Sequence, residues 1–429
     1  MKDFFYNFIK SHYLLNRTAV SDDTDKLVDS IRDEIECNVI EIPSGAECLT
    51  WIIPKYWNVR EAYLSRLDGA RLIDFNNNPL HLWTHSVSFQ GEIHVDELKK
   101  HLCFDPSHPD WIPFHYKNGF KFDAEEWGFC LSYNDYLKLN DERYIVNIDT
   151  ELSTKSSIKI IDSCIPGKFQ DTIFLAAHTC HQGQATDGLS NIAVLIELFK
   201  YLDSLSERRY SYRLIIGPEY FAAAGFLEKT PQDEISRMKC GIFLDRLGNN
   251  QPFGYQSSFQ GDSIIDRIIQ NVFRFHVPDH VTGGYRELCG NDEMFYDGCG
   301  YNIPTPGIIG AQHDEYHFDH DNLDILNVDQ LKTAVEIIEK IISVFETDYV
   351  PVPLFKGPLY LSRYELYIDP KADHKGYNNL QNIQILMNGE RSCLEIAWEL
   401  EIDFFFVRHF CDLLYEKELL KREYINIFN

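Results

Sequence analysis

No apolar run in this chain approaches the ~20 residues that a membrane-crossing helix needs. The first residues, MKDFFYNFIKSHYLL, mix charges with aromatics and lack both the continuous apolar core and the small-residue cleavage site of a secretory signal. The expected compartment is therefore the cytoplasm. Positive charge is scarce as well. Forty Lys and Arg against 66 Asp and Glu leave a net charge of −26, and no basic patch offsets it, so neither nucleic acid nor an anionic membrane surface is an expected partner. The eleven Cys show no paired short spacings. They read as reduced thiols, many of them small core residues, rather than as a disulfide framework.

What is present is material for large cores: 429 residues, 44% hydrophobic and 14% aromatic, too long for one ordinary core and sufficient for two or three domains. DTIFLAA (171–177) reads as a buried strand, and the apolar residues at 189, 192, 195, 196, 199 and 202 recur with helical period. RLIIG (213–217) is a second strand leading into the Ala-rich AAAGFLEK, and GIFL (241–244) is a third. Residues 262–273 and 328–345 are amphipathic helices. Strands alternating with helices of this length predict an α/β sandwich with a largely parallel sheet, whose ligands gather beyond the carboxyl ends of the strands.

The segment 49–141 breaks this rhythm: it is aromatic and Pro-rich, with alternating pieces such as HLWTHSVSF and WGFCLSY, and it reads as an inserted β-rich domain. RYIVNIDTEL and SSIKIIDS then read as strands returning to the body, which makes that body discontinuous, 1–48 plus 142–347. The insertion's Trp51, Trp57, Trp83, Trp111 and Trp127 either build its own core or cover a cleft in the body. After the Pro-rich DYVPVPLFKGPLY, residues 348–429 have the helix, turn, helix rhythm of a winged-helix domain. Residues 351–429 hold 12 acidic against 9 basic side chains, the wrong sign for a phosphate surface, which favours a protein contact, including a homo-oligomer, over DNA.

In AHTCHQGQATDGLSN (177–191), two His three residues apart and an Asp lie in a Gly-containing loop between strand and helix. Zinc needs neutral imidazole nitrogen and carboxylate oxygen at ~2.0–2.2 Å, with one position open if it is to catalyse. His178 or His181, with Asp187 and His317, can supply three such ligands, and Cys180 is a further thiol in the same loop. Taken alone, the segment reads better as ordinary loop histidines with Asp187 capping the next helix. Glu219, in PEYFAAAGFL, and Asp245, in FLDRLG, also follow strands, and that series of strand-end acids and histidines in sequence order makes a metal centre the stronger reading.

AHTCH, ATDGLSN, PEYFAAAG, FLDRLG, GNDEMFYDGCGYNIP and EYHFDHDNLD run in the same order as the metal motifs of the zinc aminopeptidase family, which this chain resembles. It resembles more narrowly a bacterial group of aminopeptidase-like proteins found with surface-polysaccharide genes, and LTWIIPKYWNVREAYL, LHLWTHS and WGFCLS look like that group's own signatures. The resemblance implies a zinc-exopeptidase-like α/β/α sandwich with an inserted β-rich domain and a C-terminal winged helix. It also implies one or two zinc ions. His317 of the Tyr316-His317 pair and Asp187 match the family's ligands. Asp245 fits the broad family, and the narrower group points to His181 rather than His178. Glu219 matches the second glutamate of the family's Glu-Glu pair, while Pro218 stands where the first, the usual base, would be. Glu219 is then base or ligand, with Glu293 the next candidate base, and Asp292 resembles an acid that orients a histidine.

The implied activity is a zinc-dependent aminopeptidase-like hydrolase cleaving an amide bond in a small peptide or peptide-like conjugate. An amidohydrolase acting on an acylated sugar in polysaccharide assembly is the alternative, and a metal-containing binding or regulatory protein is a third.

Overall fold

The computed structural model describes residues 1–428. Its body is an eight-stranded sheet in the order Asn38–Pro43, Ser157–Ile165, Ser211–Gly217, Thr172–His178, Met238–Asp245, Gly307–Gly310, Phe253–Gln256, Val281–Gly283. The four middle strands, from Ser211–Gly217 to Gly307–Gly310, run parallel, and antiparallel pairings begin on either side of them. Every residue of Thr172–His178 and of Ser211–Gly217 is buried, as expected of parallel strands covered on both faces.

The two faces divide by alternation. Ile173, Leu175 and Ala177 join one core with the helices Lys2–His12, Leu189–Ser204, Ile264–His276 and Val328–Thr347. Phe174 and Ala176 join a second core with the helix Phe221–Lys229. These elements match the strands and helices expected at 171–177, 189–202, 213–217, 241–244, 262–273 and 328–345, and the result is the expected α/β sandwich.

The strand expected from RYIVNIDTEL to rejoin the body does not do so. Arg143–Ser153 lies inside a separate antiparallel sheet of four strands, between Tyr56–Ser65 and Phe89–His94, with Arg71–Asp74 at the edge. Its burial alternates, Tyr144, Val146 and Ile148 packing on Trp57, Leu64 and Trp127 while their neighbours face outward. That is the signature of a sheet with one solvated face, and only the next strand, Ser157–Ile165, belongs to the body. HLWTHSVSF and WGFCLSY also form little regular strand: a short helix, Pro79–His81, and the two-residue strand Phe129–Cys130. Their aromatics serve as packing, Trp83 donating its indole N–H to Phe129 O at 3.1 Å.

The C-terminal segment forms the helices His374–Leu386, Cys393–Leu400 and Phe404–Glu416 and an antiparallel pair of strands, Val350–Pro353 with Leu420–Glu423. Its apolar residues join the first body core, and Asn271 of the body donates to Ile402 O at 2.8 Å and accepts from Phe404 N at 3.0 Å. Among the described residues no helix is long and apolar enough to cross a membrane.

The helix Phe221–Lys229 sits close on the sheet because Gly225 faces it. A Cβ there would come within 2.4 Å of Ile42 Cδ1 and 3.1 Å of Ile160 Cδ1. Gly225→Val is therefore expected to destabilise the fold by about 1–3 kcal/mol through overpacking, despite valine's better helix propensity, measurable as a lowered midpoint in denaturant.

Candidate metal centre

The parallel strands bring three chemical groups to one edge of the sheet. His178 closes its strand opposite Gly217, two residues before Glu219, while Ala176 pairs with Phe243, two residues before Asp245. Between His178 and the helix Leu189–Ser204 lies a buried loop, and it carries His181 and Asp187.

Arg17 holds that loop in place. Its fully buried guanidinium donates to the carbonyls of Thr179 (2.8 Å), Cys180 (3.2 Å), His181 (2.5 Å) and Gln184 (2.8 Å). Burial lowers its pKa to about 10, and it keeps its charge near neutrality. From the other side, the Asp321 carboxylate accepts the N–H groups of Thr186 (2.8 Å) and Asp187 (3.1 Å). Gln184 accepts from His317 N and donates to Phe318 O, which ties this loop to the one bearing His317. His181 (φ +80°) and His317 (φ +63°) both take left-handed backbone conformations, which cost of order 1–3 kcal/mol each and need a surrounding frame such as this.

The side chains converge on Asp187. Asp187 Oδ1 lies 3.2 Å from His178 Nε2 and 3.9 Å from His181 Nδ1, and Oδ2 lies 3.1 Å from His317 Nε2. Asp245 Oδ1 is 3.5 Å from His178 Nε2. Three groups of candidate ligands result, His178–Cys180–His181, His181–Asp187–His317 and His178–Asp187–Asp245, and the last two form a pair of triads sharing one carboxylate. Both candidate histidines are thus at the centre, one in each triad.

These residues fit a zinc-type cation on two grounds. His178 Nε2, Asp187 Oδ2, Asp245 Oδ1 and His317 Nε2 are buried without hydrogen-bond partners, an arrangement whose cost a cation would relieve. Ligand atoms at ~2.1 Å around a tetrahedral ion stand about 3.4 Å apart, and the cross-distances of 3.1–3.9 Å bracket that value. Burial drives the His181 pKa down to about 3, against the pull of Asp187, so its imidazole is neutral. Burial opposes ionisation of Asp187, but His181, His178 and His317 together hold it well below the usual carboxylate range.

Cys180 lies at the edge of the cluster. Its Sγ is 3.9 Å from His178 Nδ1 and accepts the Glu219 N–H at 3.3 Å, and burial raises the thiol pKa. Glu219 Oε2 stands 3.6 Å from His181 Nε2, and Glu219 belongs to neither triad. Burial, reinforced by Asp292, Asp187 and Asp245, raises its pKa to about 8. Asp292 accepts from Tyr220 N at 2.5 Å, fixing the turn that follows Glu219, and burial raises its own pKa to about 7. Glu293 bonds Asn291 N at 2.8 Å and makes no contact with the histidines. Tyr316 stacks on His317 with centroids 3.9 Å apart and is covered in turn by the Arg246 guanidinium.

Sequence reasoning missed three contributors. Arg17 sits in NRTAV with no motif around it, and only the fold brings it to the loop. Asp321 was visible in the EYHFDHDNLD run, but nothing in its spacing marks it as the acceptor for Asp187 N–H. The third is Phe114 of the insertion. Its N–H donates to His317 O at 2.8 Å, and its ring edge meets His181 and His317, each at 5.4 Å. Of the insertion's tryptophans, Trp57 and Trp127 are core, whereas Trp111 stacks on His320 and Trp51 packs on Tyr220, Phe221 and Phe295 of the body.

Residues 6–348 match the model of a domain of unknown function, DUF4910. A protein of Clostridium acetobutylicum, provisionally named a polysaccharide biosynthesis protein with an aminopeptidase-like domain, is 29% identical over 97% of this chain and 95% of its own. A crystal structure from the same organism, provisionally titled a peptidase, superposes with a TM-score of 0.88 at 27% identity, covering 98% of this chain and 96% of that one. A zinc aminopeptidase from Bacillus subtilis superposes with a TM-score of 0.57 at 12% identity, covering 80% of this chain and 94% of its own, a likeness of fold.

Two outcomes check this centre. His317→Ala is expected to lose zinc, measured by metal analysis after dialysis, and full retention would remove His317 from the ligand set. Arg17→Met leaves buried carbonyls without donors and is expected to cost at least about 2 kcal/mol in denaturant unfolding.

Proposed function

Starting from the premise that the chain belongs to the DUF4910 family, we propose that it is a zinc-dependent hydrolase of aminopeptidase type that cleaves an amide bond in a small peptide-like or acylated substrate. The observation that carries this reading is the pair of buried triads sharing Asp187, with four ligand atoms left without hydrogen-bond partners. His181, Asp187 and His317 would hold one ion, and His178, Asp187 and Asp245 a second. Zinc bound there would supply Lewis-acid polarisation of an acyl carbonyl.

The chain's own residues divide the remaining work. Glu219 is the general base. Its carboxyl stands at the edge of the triads, 3.6 Å from His181 Nε2, and is the acid left where Pro218 replaces its neighbour. Burial raises its pKa to about 8 before any cation is bound, and a carboxyl at this position can take a proton from attacking water and return it to the departing nitrogen. Asp292 keeps the Glu219 turn fixed through Tyr220 N, and Arg17 with Asp321 keeps the loop of His181 and Asp187 fixed. The insertion covers the centre with Phe114 and Tyr116, which narrows access to small substrates.

A deacylase acting on an acylated sugar is the second reading, supported by the name of the Clostridium relative and by Pro218. Removal of zinc by a chelator is expected to abolish amide hydrolysis and its return to restore it. Glu219→Gln is expected to lower kcat by 10²–10⁴ while zinc content stays unchanged. If a fully zinc-loaded protein cleaves neither aminoacyl amides nor acyl sugars, the hydrolase reading fails.

A further inference from the structure

The cleft between insertion and body has two adjoining compartments of unlike chemistry. The inner one, about 50 Å³, is lined by Ala19, Phe114, Phe120 and Phe221 and opens on His181 and Glu219. It has room for about three or four water-sized groups. The outer one, about 580 Å³, adjoins the inner one along His85, Gly119, Phe120 and Phe221, which line both.

Charge distinguishes the outer compartment. Lys55 and Lys121 line it and no Asp or Glu does, in a chain that carries 66 acids against 40 bases. Each lysine has one carboxylate near it, Asp123 at 3.8 Å from Lys55 and Glu126 at 3.3 Å from Lys121. The Asp123 side chain is 91% exposed and the Lys121–Glu126 pair 55% exposed, and ion pairs of that kind contribute little, so an incoming anion displaces them cheaply. Trp51, Phe120 and Phe122 give the compartment aromatic faces on which a ring or a flat group can lie.

We infer that the substrate is a short-chain acyl amide with an anionic far end: an acyl group of about acetyl size enters the inner compartment, and the amine portion, carrying a carboxylate or phosphate, fills the outer one between Lys55 and Lys121. This rests on the hydrolase reading for the cleavage step and on the cleft alone for the binding step. In the cleavage, water adds its oxygen to the acyl carbon, the carbon–nitrogen bond breaks, and the proton taken up by Glu219 passes to the amine, giving a short carboxylic acid and an anionic amine.

The test titrates zinc-loaded protein with N-acetylglucosamine 6-phosphate, N-acetylglutamate and uncharged N-acetylglucosamine, following heat and tryptophan fluorescence and, separately, amine release. At least one anionic acetyl amide is expected to bind at least tenfold more tightly than N-acetylglucosamine. The double variant Lys55→Glu/Lys121→Glu is expected to lose that preference while keeping its zinc. Preference for the phosphate identifies a sugar as the source of the charge, and preference for the glutamate an amino acid. Equal affinity for charged and uncharged compounds, saturable binding of none, or a preference that survives the double charge reversal overturns the inference. The two readings separate: selective binding without amine release from any amide retains the ligand and sinks the hydrolase, whereas faster cleavage of bulky aminoacyl amides than of acetyl amides does the reverse.

Discussion

Asp187 is the point on which the rest of this structure turns. Its carboxylate faces His178, His181 and His317 at once, and it can do so only if a strand end, its own buried loop and a second loop all arrive within 4 Å of it. Much of the nearby architecture serves that convergence. Arg17 directs both terminal guanidinium nitrogens at four backbone carbonyls of one loop, and Asp321 accepts the N–H groups of Thr186 and Asp187. Neither needs to touch a substrate. Both set where ligand atoms point, and a displacement of a fraction of an ångström at such a centre is a change of chemistry.

The legible part of the protein was the part with period. The strands at 172–178, 211–217 and 238–245 each hold a short apolar run, IFLAA, LII and GIFL, and the helices 189–204 and 328–347 carry a clear 3.6-residue repeat, so the sandwich and the strand-end positions of His178, Glu219 and Asp245 followed. The insertion was legible in its outline and poorly in its parts. Its aromatic segments alternate without pairing, because Trp and Phe there fill a small core from irregular backbone. The strand 143–153 was read as part of the wrong sheet, since strand propensity says nothing about which sheet a strand joins.

Within the centre the candidate ligands stood out because few residue types suit a metal, whereas the supporting residues did not. Arg17 lies 170 positions before Asp187 in sequence, and its partners are carbonyls, which every residue has. His178 and His181 both approach Asp187 Oδ1, and each joins a different one of the two candidate ligand groups that contain Asp187, so the fold brings both to the centre. Glu293, the next candidate base, accepts Asn291 N–H through Oε2 in its own loop, while its Oε1 is buried without a partner.

The insertion bonds directly to the loop that bears His317. Phe114 N–H bonds His317 O, Ile112 N–H bonds the Asp319 carboxylate, Asp319 N–H bonds Ile112 O, and Pro113 and Phe318 form an isolated bridge. The cover and the loop that bears His317 are thus stitched together as one short ladder. Prising the cover open to admit something larger means pulling on the backbone of His317 itself. The position of the cover over the cleft and the geometry of the candidate metal centre are therefore coupled through one stretch of backbone.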